Sequence, residues 1–210
     1  MFMSRVRIFA ALIAAASATA PVIAQDADPV AETQDSNVNA AIAFAKSLTD
    51  DATTALMNAD AEDDQRLEDF RVILAEGLAL ETIGKFMLGE SRKTMTDEQT
   101  TRYESIFSPY ITKLYAEQFE EIVGKPLEVV DAKAIGSRDV IVRTQFERKD
   151  AAPIMVDWRV RKLQSGDHKA IDIIVSGVSI MLVKREEFSA FIAINGVDAL
   201  LDRLEQETLT

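Results

Sequence analysis

At 210 residues, 48% hydrophobic and 28% charged, the chain has the composition of a globular protein with one sizeable core, not of a disordered or membrane-embedded one. A formal net charge of −12 excludes a phosphate-neutralising nucleic-acid binder and opposes adhesion to anionic lipid surfaces. Without cysteine there is no disulfide, thiolate metal site or Cys nucleophile.

In chain order, "MFMSRVRIFAALIAAASATAPVIAQD" places Arg5 and Arg7 before an apolar run, Ile8 to Ala16, and then small residues. This is the pattern of a secretory signal peptide over 1–24, cleaved near Ala24; the run is short for a membrane span of ~20 residues. Export to a periplasm is the expected localisation. Residues 25–36 are polar and aperiodic, and read as a flexible segment. A single domain over 37–210 follows, with a helical part at about 37–123, a sheet part at about 126–183 and closing helices over 184–206.

Asn37 is placed to cap a first helix carrying Val38, Ile42, Ala45, Leu48, Ala52 and Leu56. Phe70, Ile73, Leu74 and Leu78 mark a second helix. A short third carries Ile83, Phe86 and Met87 and stops at Gly89. Thr96 and Gln99 form a capping-box pattern ahead of a stripe through Tyr103, Phe107, Tyr110, Ile111, Leu114, Tyr115, Phe119 and Ile122. Pro109 inside it predicts one kinked helix or two nearly collinear ones. After Gly124 the period changes to two. Val140, Val142, Thr144 and Phe146 share a face, and Ile154, Val156, Trp158 and Val160 alternate with Met155, Asp157, Arg159 and Arg161. "PLEVVDAKAI" reads as a further strand. The sum is an α+β fold, a four- or five-stranded antiparallel meander covered by helices.

Residues that could carry chemistry are few. His168, beside Asp167 and near Ser165, reads as an exposed turn histidine; three residues of one turn cannot form a triad, whose base must face the nucleophile from another element. One His and no Cys give no transition-metal set, and no cofactor motif is present. Asp157 and Asp172 sit inside strands, where burial could raise a carboxyl toward general-base work. Alternation puts Asp157 with Arg159 and Arg161, however, and predicts a cross-strand ion pair on the outer face.

From Phe70 onward the order of features resembles the MlaC family of periplasmic phospholipid-binding proteins, also known for toluene-tolerance transport. The resemblance rests on "KFMLG" (Lys85–Gly89), "TDEQTTRYESIF", "KLYAEQF" with Tyr115, "PIMVDWRV", and "IDIIVSGVSIMLVKREEFSAFIAINGVDALLDRL". Departures are Ser91 and Lys184 at positions often aromatic, and His168-Lys169-Ala170 where a Trp and Tyr commonly precede the Asp matching Asp172. The resemblance implies a curved antiparallel sheet of NTF2-like type, packed with N-terminal and C-terminal helices around a deep apolar pocket. It implies a lipid carrier with no cofactor, partnered by phospholipid, an inner-membrane Mla-type ABC transporter complex and an outer-membrane lipoprotein–porin complex, maintaining outer-membrane lipid asymmetry.

The residues expected to line the pocket are Phe70, Ile73, Phe86 and Met87, the stripe Tyr103, Phe107, Tyr110, Ile111, Leu114 and Tyr115, the strand positions Val142, Trp158, Val160, Ile174, Val178 and Ile180, and Phe188. Burying about 14 methylenes at about 0.8 kcal/mol each shelters one acyl chain by roughly 11 kcal/mol relative to water. A membrane offers the same, so exchange needs no catalyst. Carriage of a hopanoid or other polycyclic lipid is an alternative cargo. An NTF2-like small-molecule enzyme using Asp157, Asp172 or a pocket Tyr is another reading, and a protein-only adaptor a third. In "IDIIVSGVSIMLVKREEF" (171–188), Ile171, Ile173 and Val175 share one parity and Val178, Ile180 and Leu182 the other. This predicts a strand bent at Ser176-Gly177, feeding a helix at Lys184, with the glycine at the boundary between core and pocket.

Overall fold

The computed structural model describes residues 29–119, 125, 127–148 and 151–209. The signal peptide expected over 1–24 and the stripe position Ile122 lie outside them.

Helix α1 (Pro29–Leu56) precedes α2 (Asp63–Gly77), α3 (Leu80–Leu88), a 3-10 turn (Gly89–Lys93) and α4 (Asp97–Phe119). Strands β1 (Leu127–Ile135), β2 (Asp139–Arg148), β3 (Ala151–Lys162), β4 (His168–Val175) and β5 (Val178–Ser179) form one sheet in that order, every pair antiparallel. Helices α5 (Ile180–Asn195) and α6 (Val197–Leu209) close the chain. The architecture is the expected α+β meander with helices before and after it.

The strands pair their apolar parities. Val140, Val142, Thr144 and Phe146 register with Val160, Trp158, Val156 and Ile154, and all eight are buried. The inward Thr144 is satisfied locally: its Oγ1 donates to the Val156 carbonyl at 2.7 Å and accepts from Trp158 Nε1 at 3.1 Å, so no buried polar atom is stranded there. Helix α1 lies against β1 through β4, and its fully or nearly fully buried apolar face is Ala41, Ala45, Leu48 and Ala52. Small side chains let a helix and a sheet approach closely.

Helix α4 begins as the capping box requires, with Thr96 N–H donating to Gln99 Oε1 at 3.0 Å and Gln99 N–H to Thr96 Oγ1 at 3.1 Å. It runs through Pro109 as one continuous helix rather than two. Gly89 ends α3 at φ +54°, a conformation disfavoured by a Cβ.

Four expectations change. First, α1 is helical from Pro29, so Asn37 is not its cap and the segment 25–36 is regular from that proline onward; proline suits the first helical turn. Asn37 is instead buried, with its Oδ1 2.9 Å from His168 Nε2. Second, His168 therefore opens β4 half-buried against α1, and burial lowers its pKa.

Third, Ser176 (φ +49°) and Gly177 (φ +86°) do not bend a strand but reverse it, with Val175 paired to Val178. Two successive left-handed residues make the tight hairpin that matches strand twist. Fourth, α5 starts at Ile180, four residues before Lys184, because Ser179 caps it: its Oγ accepts the Leu182 N–H at 3.0 Å. Ile180 and Leu182 are thus helical, and the sheet ends at Ser179.

The outer sheet face carries the ion pairs. Asp157 accepts from Arg143, its registered β2 neighbour, at 3.0 Å. Arg159 and Arg161 instead converge on the buried Asp139. Burial would raise that carboxyl, but hydrogen bonds from Arg161 and Arg159 outweigh it and hold it below the usual range.

Asp172 is the opposite case. Burial raises it, against hydrogen bonds from Ser179 Oγ (2.6 Å) and Met181 N–H (3.3 Å). The stabilisation from Asp139 is fully present above the unfolded carboxyl pKa of about 3.9 and is lost as pH falls through its lower folded value. For Asp172 the unfolded chain ionises first as pH rises, so its contribution declines from about pH 4 upward. Urea unfolding of wild type and Asp172→Asn across pH 4–8 should therefore show wild type gaining on the variant as the pH is lowered. A pH-independent difference would contradict the assignment.

Candidate functional site

Helix α3 presents two stripes. Ile83 and Met87 are fully buried in the interior. Leu80, Gly84 and Leu88, at steps of four, line a cleft of ≈ 720 Å³ with Met95, Tyr103 and Phe107 across it. These buried or half-buried residues form the floor, and exposed Glu81, Lys85, Arg92, Asp97 and Glu104 stand at the rim. Lys85 pairs with Glu81 along α3.

Gly84 sets the approach of α3 to α4. A Cβ there would lie 3.1 Å from the Phe107 ring, and the Gly84 carbonyl accepts the Tyr103 hydroxyl at 3.1 Å. Phe107 belongs to both the cleft floor and the apolar interior, so its ring stands between them. Its own partner is Tyr103, with ring centroids 5.2 Å apart and tilted. Deeper along α4, the Tyr110 ring meets Phe188 of α5 at 6.0 Å.

Apart from Tyr115 Oη, no fully buried side-chain polar atom among the described residues lacks a hydrogen-bond partner. Burial pushes both the Tyr103 and Tyr115 hydroxyls up, so both stay protonated. No group of three His, Cys, Asp or Glu among the described residues could hold a metal, and no described helix is long and apolar enough to cross a membrane.

Of the residues expected to line the pocket, Phe70, Met87, Tyr103, Phe107, Tyr110, Ile111, Tyr115, Val142, Trp158, Val160 and Phe188 come together in one buried cluster. Ile73, Phe86, Leu114 and Ile180 pack against it half-buried. Phe86 is capped by Arg185, whose guanidinium carbon sits 4.4 Å from the ring centroid. Two positions are not brought there. Ile174 registers with Asp157 on the outer face, because Ile173 is the β4 residue opposite Trp158. Val178 is 55% exposed in the two-residue edge strand β5, directly after the hairpin turn.

Comparison with known proteins decides the family: the family model described as "MlaC protein" matches residues 46–206, well over half of the chain. The chain belongs to the MlaC family. It is 25% identical over 130 residues to the "Intermembrane phospholipid transport system binding protein MlaC" of Haemophilus influenzae, a match covering 60% of this chain and 61% of that relative. Its fold is that of the phospholipid-binding protein of Ralstonia solanacearum, solved in complex with a phospholipid. The TM-score is 0.68 at 20% identity, covering 80% of this chain and 97% of that one.

For this MlaC-family chain, sequence reading missed the cleft stripe Leu80-Gly84-Leu88 and the rim residues. The four-residue spacing was legible as a second apolar line beside Ile83 and Met87. Nothing in it told which line faced the core and which the opening. Ile173 and Val175 share a parity and register with the buried Trp158 and Val156, so the alternation legible in β4 pointed to Ile173 rather than Ile174 as the inward residue.

Proposed function

We propose that this protein is a periplasmic lipid carrier, exported with cleavage of its leader near Ala24, that holds phospholipid acyl chains in its apolar interior and has no catalytic activity. It shuttles lipid between an outer-membrane lipoprotein–porin complex and an inner-membrane Mla-type ABC transporter complex, and so maintains outer-membrane lipid asymmetry. The observation that carries this reading is MlaC-family membership joined to an interior faced with aromatic and aliphatic side chains behind one cleft. The 17 residues expected from sequence remain the proposal for the lipid contacts, Ile174 and Val178 through rearrangement of the β4–β5 edge.

The cleft is the natural mouth. Tails pass its apolar floor between α3 and α4, displacing Phe107, while the headgroup stays among the charged rim residues. Tail burial offsets loss of membrane contact, since about 0.8 kcal/mol per methylene is recovered on either side.

Solvent extraction of the purified native protein, followed by lipid mass spectrometry, tests this. Stoichiometric diacyl phospholipid is expected, and Asp157→Asn and Asp172→Asn should retain it. A hopanoid in its place would redirect the cargo; protein that carries no lipid and takes none from vesicles would refute the carrier reading.

A further inference from the structure

A second concavity, of ≈ 680 Å³, runs between α1 and α2 and shares no lining residue with the α3–α4 cleft. Phe44, Leu48 and Ala55 of α1 and Val72 and Ile73 of α2 give it an apolar floor. Gly77 shapes it: a Cβ there would come within 2.5 Å of Leu48 Cδ1, so a larger residue would have to push the Leu48 side chain aside where the end of α2 settles onto α1. Val72 is 47% exposed along the groove, an apolar surface offered to water.

Both banks are acidic. Asp51 stands on α1, and Asp69 and Glu76 on α2. Among the described residues Asp51 accepts only from Ser47 Oγ and Asp69 only from Gln65 Nε2, and none of the three pairs with a cation there. The bias extends over the whole hairpin: Pro29–Gly77 carries eleven acidic residues against Lys46, Arg66 and Arg71. A second copy of this face would meet it with like charge. The chain joining α1 contributes Asp26 and Asp28, and residues 120–124 contribute Glu120 and Glu121, so these segments bring no cation either.

We infer that the α1–α2 groove docks a cationic amphipathic helix of a partner protein. From Phe44 to Ala55 the groove follows α1 for about 16 Å, roughly three helical turns at 1.5 Å per residue. A partner helix with apolar residues at i, i+3, i+4 and i+7 would fill the floor, and Lys or Arg on both flanks would meet Asp51 on one bank and Asp69 and Glu76 on the other. The charges set orientation and encounter rate more than affinity.

The test uses the full mature chain and a fluorescent amphipathic Leu/Lys peptide of about 18 residues, with Leu/Glu and Leu-free Lys peptides as controls. The Leu/Lys peptide should bind. The triple variant Asp51→Asn, Asp69→Asn, Glu76→Gln should weaken it by about tenfold, the scale of three screened surface pairs. Val72→Asp should weaken it as well. Neutralising exposed acids outside the groove, Glu98→Gln, Glu147→Gln and Glu186→Gln, removes the same charge and should change binding less than about twofold. Equal losses in both triples, or equal binding of the Leu-free peptide, would reduce the effect to bulk charge and overturn the site. So would sedimentation showing a dimer that Val72→Asp dissolves, because the occupant would then be a second copy.

Discussion

Gly84→Leu should strip the protein of bound lipid while leaving it folded. Leucine is the better helix former by most of a kcal/mol, so α3 itself gains. The added side chain, however, starts from a Cβ already 3.1 Å from the Phe107 ring and must enter the cleft floor between Leu80 and Leu88. Phe107 is only 4% exposed and has little room to yield, which makes overpacking of about 1–3 kcal/mol the expected cost. Lipid per protein after purification should fall by about tenfold, because the path past Phe107 is the step obstructed. Gly84→Ala, which adds only the Cβ, should give an intermediate loss. Far-UV circular dichroism and thermal unfolding report whether the fold survives. A folded Gly84→Leu protein with unchanged lipid content would move the mouth away from the α3–α4 cleft.

The largest loss of stability should come from Trp158→Ala. Trp158 is fully buried, registered between Val142 on β2 and Ile173 on β4, and hydrogen-bonded through its indole to Thr144. Its truncation removes the biggest side chain of the core and leaves a cavity under α1, a cost of about 3–5 kcal/mol. Trp158→Phe keeps most of the volume and removes the indole donor. Thr144 keeps its bond to the Val156 carbonyl, so that variant should lose nearer 1–2 kcal/mol. Urea unfolding followed by far-UV circular dichroism measures both, the natural fluorophore being gone. If Trp158→Ala costs under 1 kcal/mol, the interior around Trp158 collapses freely and is not close-packed.

Much of the architecture was legible because it is written in local chemistry. Reciprocal hydrogen bonds between Thr96 and Gln99 start α4 whatever surrounds it, and Gly89 ends α3 because its backbone needs positive φ. The inward set of β2 and β3 follows from period-two alternation, and the same alternation foresaw an outward ion pair for Asp157. The candidate interior was legible for the same reason: an apolar stripe on α4 must face the apolar side of a neighbouring sheet.

What failed did so where the deciding partner is remote in sequence. Asn37 has the chemistry of a helix cap, but His168, 131 residues away, takes its side chain while α1 continues past it. The run from Ile180 to Val183 has strand-like composition. It becomes helix because Ser179 caps it and the buried Asp172 holds both Ser179 and the Met181 N–H. Ile174 lies on the outer face because Ile173, the residue before it, registers with Trp158 on β3.

The sequence by itself therefore determined the order and type of most elements, the apolar faces they bury, and the family. Capping, periodicity and glycine conformations act over a few residues and can be read without a partner. Only the tertiary structure decided which stripe of α3 faces the interior and which the cleft, that Phe107 stands between them, that Asp139 collects two arginines, and that α1 and α2 enclose an acid-banked groove. Each of these depends on how separate elements approach, and that distance is set by packing around residues such as Gly84 and Gly77, where the side chain that is missing matters most.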